Sequence, residues 1–154
     1  MIQLENILTP GRSLVDVPGG SKKRVLEQIA TVISRDLPDL DTQDIFESLF
    51  AREKIGSTGF GNGIAIPHCR LPGLNEPISA VLKLQTPVDF DAIDGEPVDL
   101  LFVLLVPEAA TDAHLELLRQ VASILEREQV RTQLRQAKNG AALYQMIVDL
   151  QRGH

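Results

Sequence analysis

Residues 98–106 run Val-Asp-Leu-Leu-Phe-Val-Leu-Leu-Val, apolar at nearly every position. A strand with one wet face alternates apolar and polar residues. A strand apolar on both faces must be covered on both, which is the mark of a central strand between helices. Pro107 ends the run, which is far below the ~20 residues that a membrane-spanning helix needs. The chain must therefore supply flanking strands and two layers of helix.

Both are legible. Leu14-Val15-Asp16-Val17 reads as a brief strand closed by Pro18-Gly19-Gly20. Ser21 caps a helix whose stripe is Val25, Leu26, Ile29, Val32 and Ile33, and Pro38 stops it. Asp41 or Thr42 caps a second helix that buries Ile45, Phe46, Leu49 and Phe50 and runs out at Arg52-Glu53-Lys54. Residues 78–85 read as a half-alternating strand, 87–90 as a short edge strand, and Asp94-Gly95 as a turn. Thr111 caps a long helix lined by Leu115, Leu118, Ala122 and Leu125, with Val121 and Ile124 beside them. A helical stretch around residues 130–134 is closed by Asn139-Gly140 as a C-cap, and a last helix buries Leu143, Ile147 and Leu150. Residues 1–9 form a docking segment with Ile2, Leu4, Ile7 and Leu8 to bury. The expected architecture is an α/β sandwich: a mixed sheet of about five strands with helices on both faces.

The chain's 154 residues suit one domain, residues 1–154. Its net charge is −6 with basic residues scattered, which argues against nucleic acid as a partner. A single cysteine forms no internal disulfide and fits the reducing cytoplasm. The start, Met1-Ile2-Gln3-Leu4-Glu5, has neither the basic residues nor the long apolar run of a signal peptide, and nothing in the chain reads as membrane-embedded.

Residues 56–70, Gly-Ser-Thr-Gly-Phe-Gly-Asn-Gly-Ile-Ala-Ile-Pro-His-Cys-Arg, carry the chemistry. Four glycines let the backbone take positive φ and let a ligand approach. Ile64-Ala65-Ile66 reads as a short strand, and Pro67 fixes φ just before His68. A P-loop would need Lys and Ser/Thr where Asn62-Gly63 stand, and a dinucleotide fingerprint needs a small residue where Ile64 stands. The glycines can still form an anion nest. His114 falls in the first turn of the helix after the central strand, a natural place for an anion. The bland alternatives are a capping or packing role for His114 and a solvated helix end for Arg52.

Zinc needs three or four ligands. His68, Cys69, His114 and Asp112 are on offer, but neighbours in an extended segment point apart. The same objection weakens a Cys69–His68 hydrolase, and leaves Cys69 as a small packing residue. The remaining option makes His68 itself the nucleophile, since a histidine is mostly neutral at pH 7 and attacks without a separate base. Positioning and charge stabilisation carry most of phosphoryl transfer. His114 and Arg52 can hold the phosphoryl oxygens, and Ser57, Thr58, Gly59 and Gly61 can complete a cradle.

Residues 56–68 resemble the phosphorylation-site signature of IIA domains of the fructose/mannitol type, from the bacterial phosphoenolpyruvate-dependent phosphotransferase system. Leu49-Phe50-Ala51-Arg52-Glu53 upstream and Ala113-His114-Leu115 downstream agree in order, and the resemblance runs from about residue 5 to about 150. It implies a mixed sheet between helices, no metal or organic cofactor, and a phosphotransferase component acting through phosphohistidine. His68 would be the acceptor, on Nε2, and His114 and Arg52 would hold the group. Within the family the variant Gly-Asn-Gly-Ile-Ala-Ile-Pro-His-Cys-Arg-Leu, with no transporter or carrier domain attached, is similar to the stand-alone nitrogen-related, regulatory branch. That implies an HPr-like phosphocarrier as donor and regulatory targets such as potassium-transport or sensor-kinase proteins. The alternatives are a sugar-specific IIA subunit that passes phosphate to a permease IIB domain, and a binding module without catalysis.

Overall fold

A computed structural model describes residues 3–109 and 112–152. Single 3-10 turns at Leu4–Asn6 and Pro10–Arg12 lead into β1 (Ser13–Val17), α1 (Lys22–Asp36) and α2 (Thr42–Ile55). Then come β2 (Gly59–Gly61), β3 (Ile64–Ala65), β4 (His68–Leu71), β5 (Ile78–Val88) and β6 (Val98–Pro107), and last α3 (Asp112–Leu125), α4 (Glu128–Arg135) and α5 (Gly140–Arg152). The sheet order is β1-β5-β6-β3-β2, with β4 also on β6. β1 lies parallel to β5, β5 antiparallel to β6, and β3 and β4 parallel to β6, so the sheet is mixed as expected.

β6 is the central strand. Leu101, Val103 and Leu105 enter the core under α1 and α2 with Val25, Ile29, Ile45 and Leu49. Leu100, Phe102 and Leu104 enter the opposite core with Leu117, Val121, Leu134, Leu143 and Ile147. Leu4, Ile7 and Leu8 dock into that second core, while Ile2 lies outside the described residues. Ser21 and Asp41 cap α1 and α2, each accepting a hydrogen bond at 3.1 Å, from the Arg24 and Asp44 N–H groups. Among the described residues no helix is long and apolar enough to cross a membrane.

The described sheet has six strands rather than about five, because the glycine-rich stretch supplies three short ones. Pro67 has no N–H to give, so the segment along β6 is broken into β3 and β4. The Pro67 carbonyl still accepts from Leu104 N–H at 2.9 Å, which keeps both halves on β6. The expected edge strand at Pro87 is the end of β5, reached through a register shift between Lys83 and Val88.

The buried stripe of α3 is Leu117, Val121 and Leu125, spaced four apart. Leu115, expected on that stripe, is 54% exposed: it lies two residues before Leu117, on the opposite side of the helix. The Thr111 cap lies outside the described residues.

Asn139-Gly140 opens α5 instead of closing the helix before it. α4 has already ended at Arg135, and Asn139 Oδ1 accepts from Ala142 N–H at 2.8 Å as an N-cap. Gly140 is needed because a Cβ there would collide with the Ser13 carbonyl at the head of β1. Asn139→Ala is expected to lose about 1 kcal/mol in urea unfolding. Unchanged stability would show that this cap contributes nothing.

Candidate functional site

α2 carries two charged residues to the glycine-rich stretch, and they diverge. Arg52 is half-buried, and its Nη1 donates to the Gly56 carbonyl at 2.9 Å. Glu53 turns inward and is 7% exposed. Its carboxylate accepts from Thr58 N–H at 2.8 Å and from the Thr58 hydroxyl at 2.6 Å, and pairs with Lys22 Nζ at 2.9 Å. Lys22 also stands over the Phe90 ring, 5.1 Å from its centroid.

The chain then makes the β2–β3 hairpin around Gly61-Asn62-Gly63, all three at positive φ (102°, 59° and 78°). Two residues outside the hairpin pin its tip. The Asp94 carboxylate accepts from Asn62 N–H at 2.9 Å, and Arg135 Nη2 donates to the Asn62 carbonyl at 2.7 Å while pairing with Asp99. The Asn62 bond, and a second from Glu96 N–H, hold the Asp94 carboxyl below the usual carboxylate range. At Gly59 a side chain would run into Ala92.

His68 opens β4, half-buried, in register with Leu104 of β6. Its Nδ1 lies 2.7 Å from the Ile66 carbonyl. A carbonyl only accepts, so Nδ1 carries the proton and Nε2 the in-plane lone pair. Burial, the largest influence, pushes the imidazole pKa below its ordinary value. The Ile66 bond acts upward, the Arg52 charge downward, and the Glu53 charge upward. The net result is an imidazole that stays neutral at neutral pH, with one nitrogen tied and the other able to attack.

Of the residues singled out in the sequence, the structure brings Arg52 into the electrostatic field of His68. His114 sits half-buried in the first turn of α3, the helix that follows the end of β6 toward which β4 runs. The donors of the loop are turned inward. Ser57 Oγ donates to the Phe90 carbonyl at 2.5 Å and accepts from Gly59 N–H at 2.9 Å. The Thr58 hydroxyl is given to Glu53, and Gly61 is paired with Ile64 in the hairpin. Cys69 is buried in the α1/α2 core, where burial pushes its thiol up to about 12.

Glu53, Lys22, Asp94 and Arg135 were not singled out from the sequence. Glu53 had a readable signal: Ile45, Leu49 and Glu53 are spaced four apart, so the acid continues the buried face of α2. The other three depend on long-range contacts that leave no local pattern.

A neutral imidazole that keeps one ring lone pair, within the field of a guanidinium, suits transfer of an anionic group. A family model described as "Phosphoenolpyruvate-dependent sugar phosphotransferase system, EIIA 2" matches residues 6–149. The chain belongs to this EIIA 2 family. It is 72% identical over 153 residues to the "Nitrogen regulatory protein" of Pseudomonas aeruginosa, an alignment covering 99% of each chain. Its EIIA fold superposes on the crystal structure of the nitrogen regulatory protein IIA-Ntr from Neisseria meningitidis with a TM-score of 0.86 at 41% identity, covering 92% of this chain and 97% of that one. IIA mannitol from Escherichia coli has a TM-score of 0.73 at 12% identity, over 90% and 97% of the two chains. The mannitol-type IIA fold implied by the sequence is the fold observed.

Proposed function

We propose that this EIIA domain is a regulatory phosphocarrier of the nitrogen-related phosphotransferase system, working in the cytoplasm. The observation that carries the reading is the 2.7 Å bond between His68 Nδ1 and the Ile66 carbonyl, which leaves Nε2 as the nucleophile. The donor is an HPr-like phosphocarrier bearing a phosphohistidine. Its P–N bond breaks as a P–N bond to His68 Nε2 forms, and the electron pair leaves with the donor imidazole. The accepting ring becomes cationic, and the Ile66 carbonyl holds its Nδ1 proton and stabilises that charge. Arg52 and His114 balance the phosphoryl oxygens. The segment with Ser57, Thr58, Gly59 and Gly61 walls the site and sets where its backbone approaches the phosphoryl group.

The product carries about two extra negative charges beside Arg52. Regulatory targets, such as potassium-transport or sensor-kinase proteins, would then bind the two forms with different affinity. The relatives named as nitrogen regulatory proteins, at 72% and 41% identity, favour this reading over a sugar-specific IIA subunit.

The test is intact-protein mass after incubation with phosphoenolpyruvate, enzyme I and a donor, with nitrogen-branch and sugar-branch carriers in parallel. A single acid-labile phosphate adduct is expected, formed faster from the nitrogen-branch carrier. Preference for the sugar-branch carrier would move the assignment to sugar uptake. A folded protein with no adduct from either would leave the binding-module reading.

A further inference from the structure

The buried carboxylate of Glu53 takes no part in the chemistry above, yet all its partners are accounted for. A buried acid is costly unless paired and hydrogen-bonded, and Glu53 has both forms of support. Lys22 comes from the first turn of α1, Glu53 from the last turn of α2, and Thr58 from the glycine-rich stretch. Three segments therefore meet at one carboxylate.

The contacts continue beyond Thr58. Its N–H and hydroxyl go to Glu53, and its carbonyl accepts from Ile66 N–H at 3.0 Å. The Ile66 carbonyl in turn takes the His68 Nδ1 proton. Each link fixes the residue that offers the next. The peptide bearing the Ile66 carbonyl runs into Pro67, which lacks an N–H, so it has no ladder bond from its own nitrogen to hold it. Its orientation rests on the Thr58 bond on one side and the Pro67 carbonyl's bond to Leu104 on the other.

We propose that Glu53 is a positioning residue for His68: with Lys22 it clamps Thr58, and through Thr58 and Ile66 it holds the imidazole as the Nδ1–H tautomer. The inference rests on the phosphocarrier reading for its purpose, because that tautomer presents Nε2 to the donor. Loss of the clamp would let the Ile66 carbonyl turn and the ring redistribute its proton. The nucleophilic nitrogen would then be protonated for part of the time.

The experiment is long-range 1H–15N correlation of the His68 imidazole in wild type and in Glu53→Gln, with far-UV circular dichroism and a urea melt confirming the fold. Gln is isosteric and can still accept one bond, but it releases Lys22 and weakens the grip on Thr58. The ratio of Nδ1–H to Nε2–H is expected to fall about tenfold, the effect of losing one net hydrogen bond. Phosphoryl uptake is expected to slow by about tenfold to a hundredfold, as misorientation of a nucleophile does. An unchanged ratio in folded Glu53→Gln overturns the proposal. If that variant does not fold, Thr58→Val decides in the same way, since it removes the hydroxyl arm alone and should shift the ratio in the same direction by less. The tautomer measurement needs no donor. A wild type that takes up no phosphate therefore refutes the phosphocarrier reading, while an unmoved ring refutes only the role of Glu53.

Discussion

His68→Ala is expected to take up no phosphoryl group under conditions where the wild type is fully converted. It is the one proposed loss that nothing else can cover, because a P–N bond needs this lone pair. Arg52→Ala and His114→Ala keep the nucleophile and lose charge stabilisation, so each should slow uptake by about a hundredfold while leaving the same adduct. The pH profile adds a second test. Burial lowers the His68 pKa, so the neutral form persists to lower pH than in an exposed histidine. Uptake should therefore fall on acidification at a lower pH than the ionisation of an ordinary exposed histidine would set. The same shift has a consequence for stability. Between the folded and unfolded pKa values the unfolded chain binds more protons, so stability rises with pH through that window. Below it the native state carries the full penalty of charging a buried ring, and above it none. Replacing His68 should flatten that step in a set of urea melts. An adduct that survives His68→Ala would end the assignment of the acceptor.

The parts of this molecule that were legible are those written in local pattern. The two-faced apolar run of β6, the Ser21 and Asp41 caps, and the glycine-rich stretch ending in Pro67-His68 each declare themselves within a dozen residues. What was not legible is what distant residues impose. Asn139-Gly140 carries the chemistry of either helix end, and the direction is decided by the Ser13 carbonyl against which Gly140 must sit. Ser57 and Thr58 look like free hydroxyls in the sequence. Their protons are claimed by Phe90 and Glu53, so the loop is held from inside. Leu115 fits a helical stripe by spacing, but Leu117 fits equally well, and only the sheet beneath α3 selects between them. For His68, spacing reveals a stiffened strand position; which nitrogen keeps its lone pair follows from where the Ile66 carbonyl points.

Asp36→Ala should destabilise the protein by about 3 kcal/mol, more than the about 2 kcal/mol expected for Arg12→Met, although Asp36 is the more exposed partner. The Arg12 side chain is 5% exposed and that of Asp36 is 31% exposed, and they pair at 2.6 Å. Arg12 also donates to the Ser79 carbonyl at 2.8 Å and the Ile7 carbonyl at 2.9 Å, tying the docking segment and α1 to β5. Removing the acid leaves a buried guanidinium facing two carbonyl dipoles with no counter-charge. Removing the arginine leaves a carboxylate that still reaches water and still accepts from the Thr9 hydroxyl at 2.9 Å. The Ile7 carbonyl likewise keeps the Ser79 N–H at 2.8 Å. Asp36 is the last residue of α1, so losing its charge also relieves an unfavourable contact with the negative end of the helix. That gain is a few tenths of a kcal/mol, too small to reverse the order. Urea unfolding of both variants and the double mutant, at unchanged m-value, measures the difference. The double mutant should be more stable than Asp36→Ala alone, because it no longer buries an unpaired cation. If Asp36→Ala costs less than Arg12→Met, Arg12 is held by its carbonyl partners and the ion pair adds nothing to the fold.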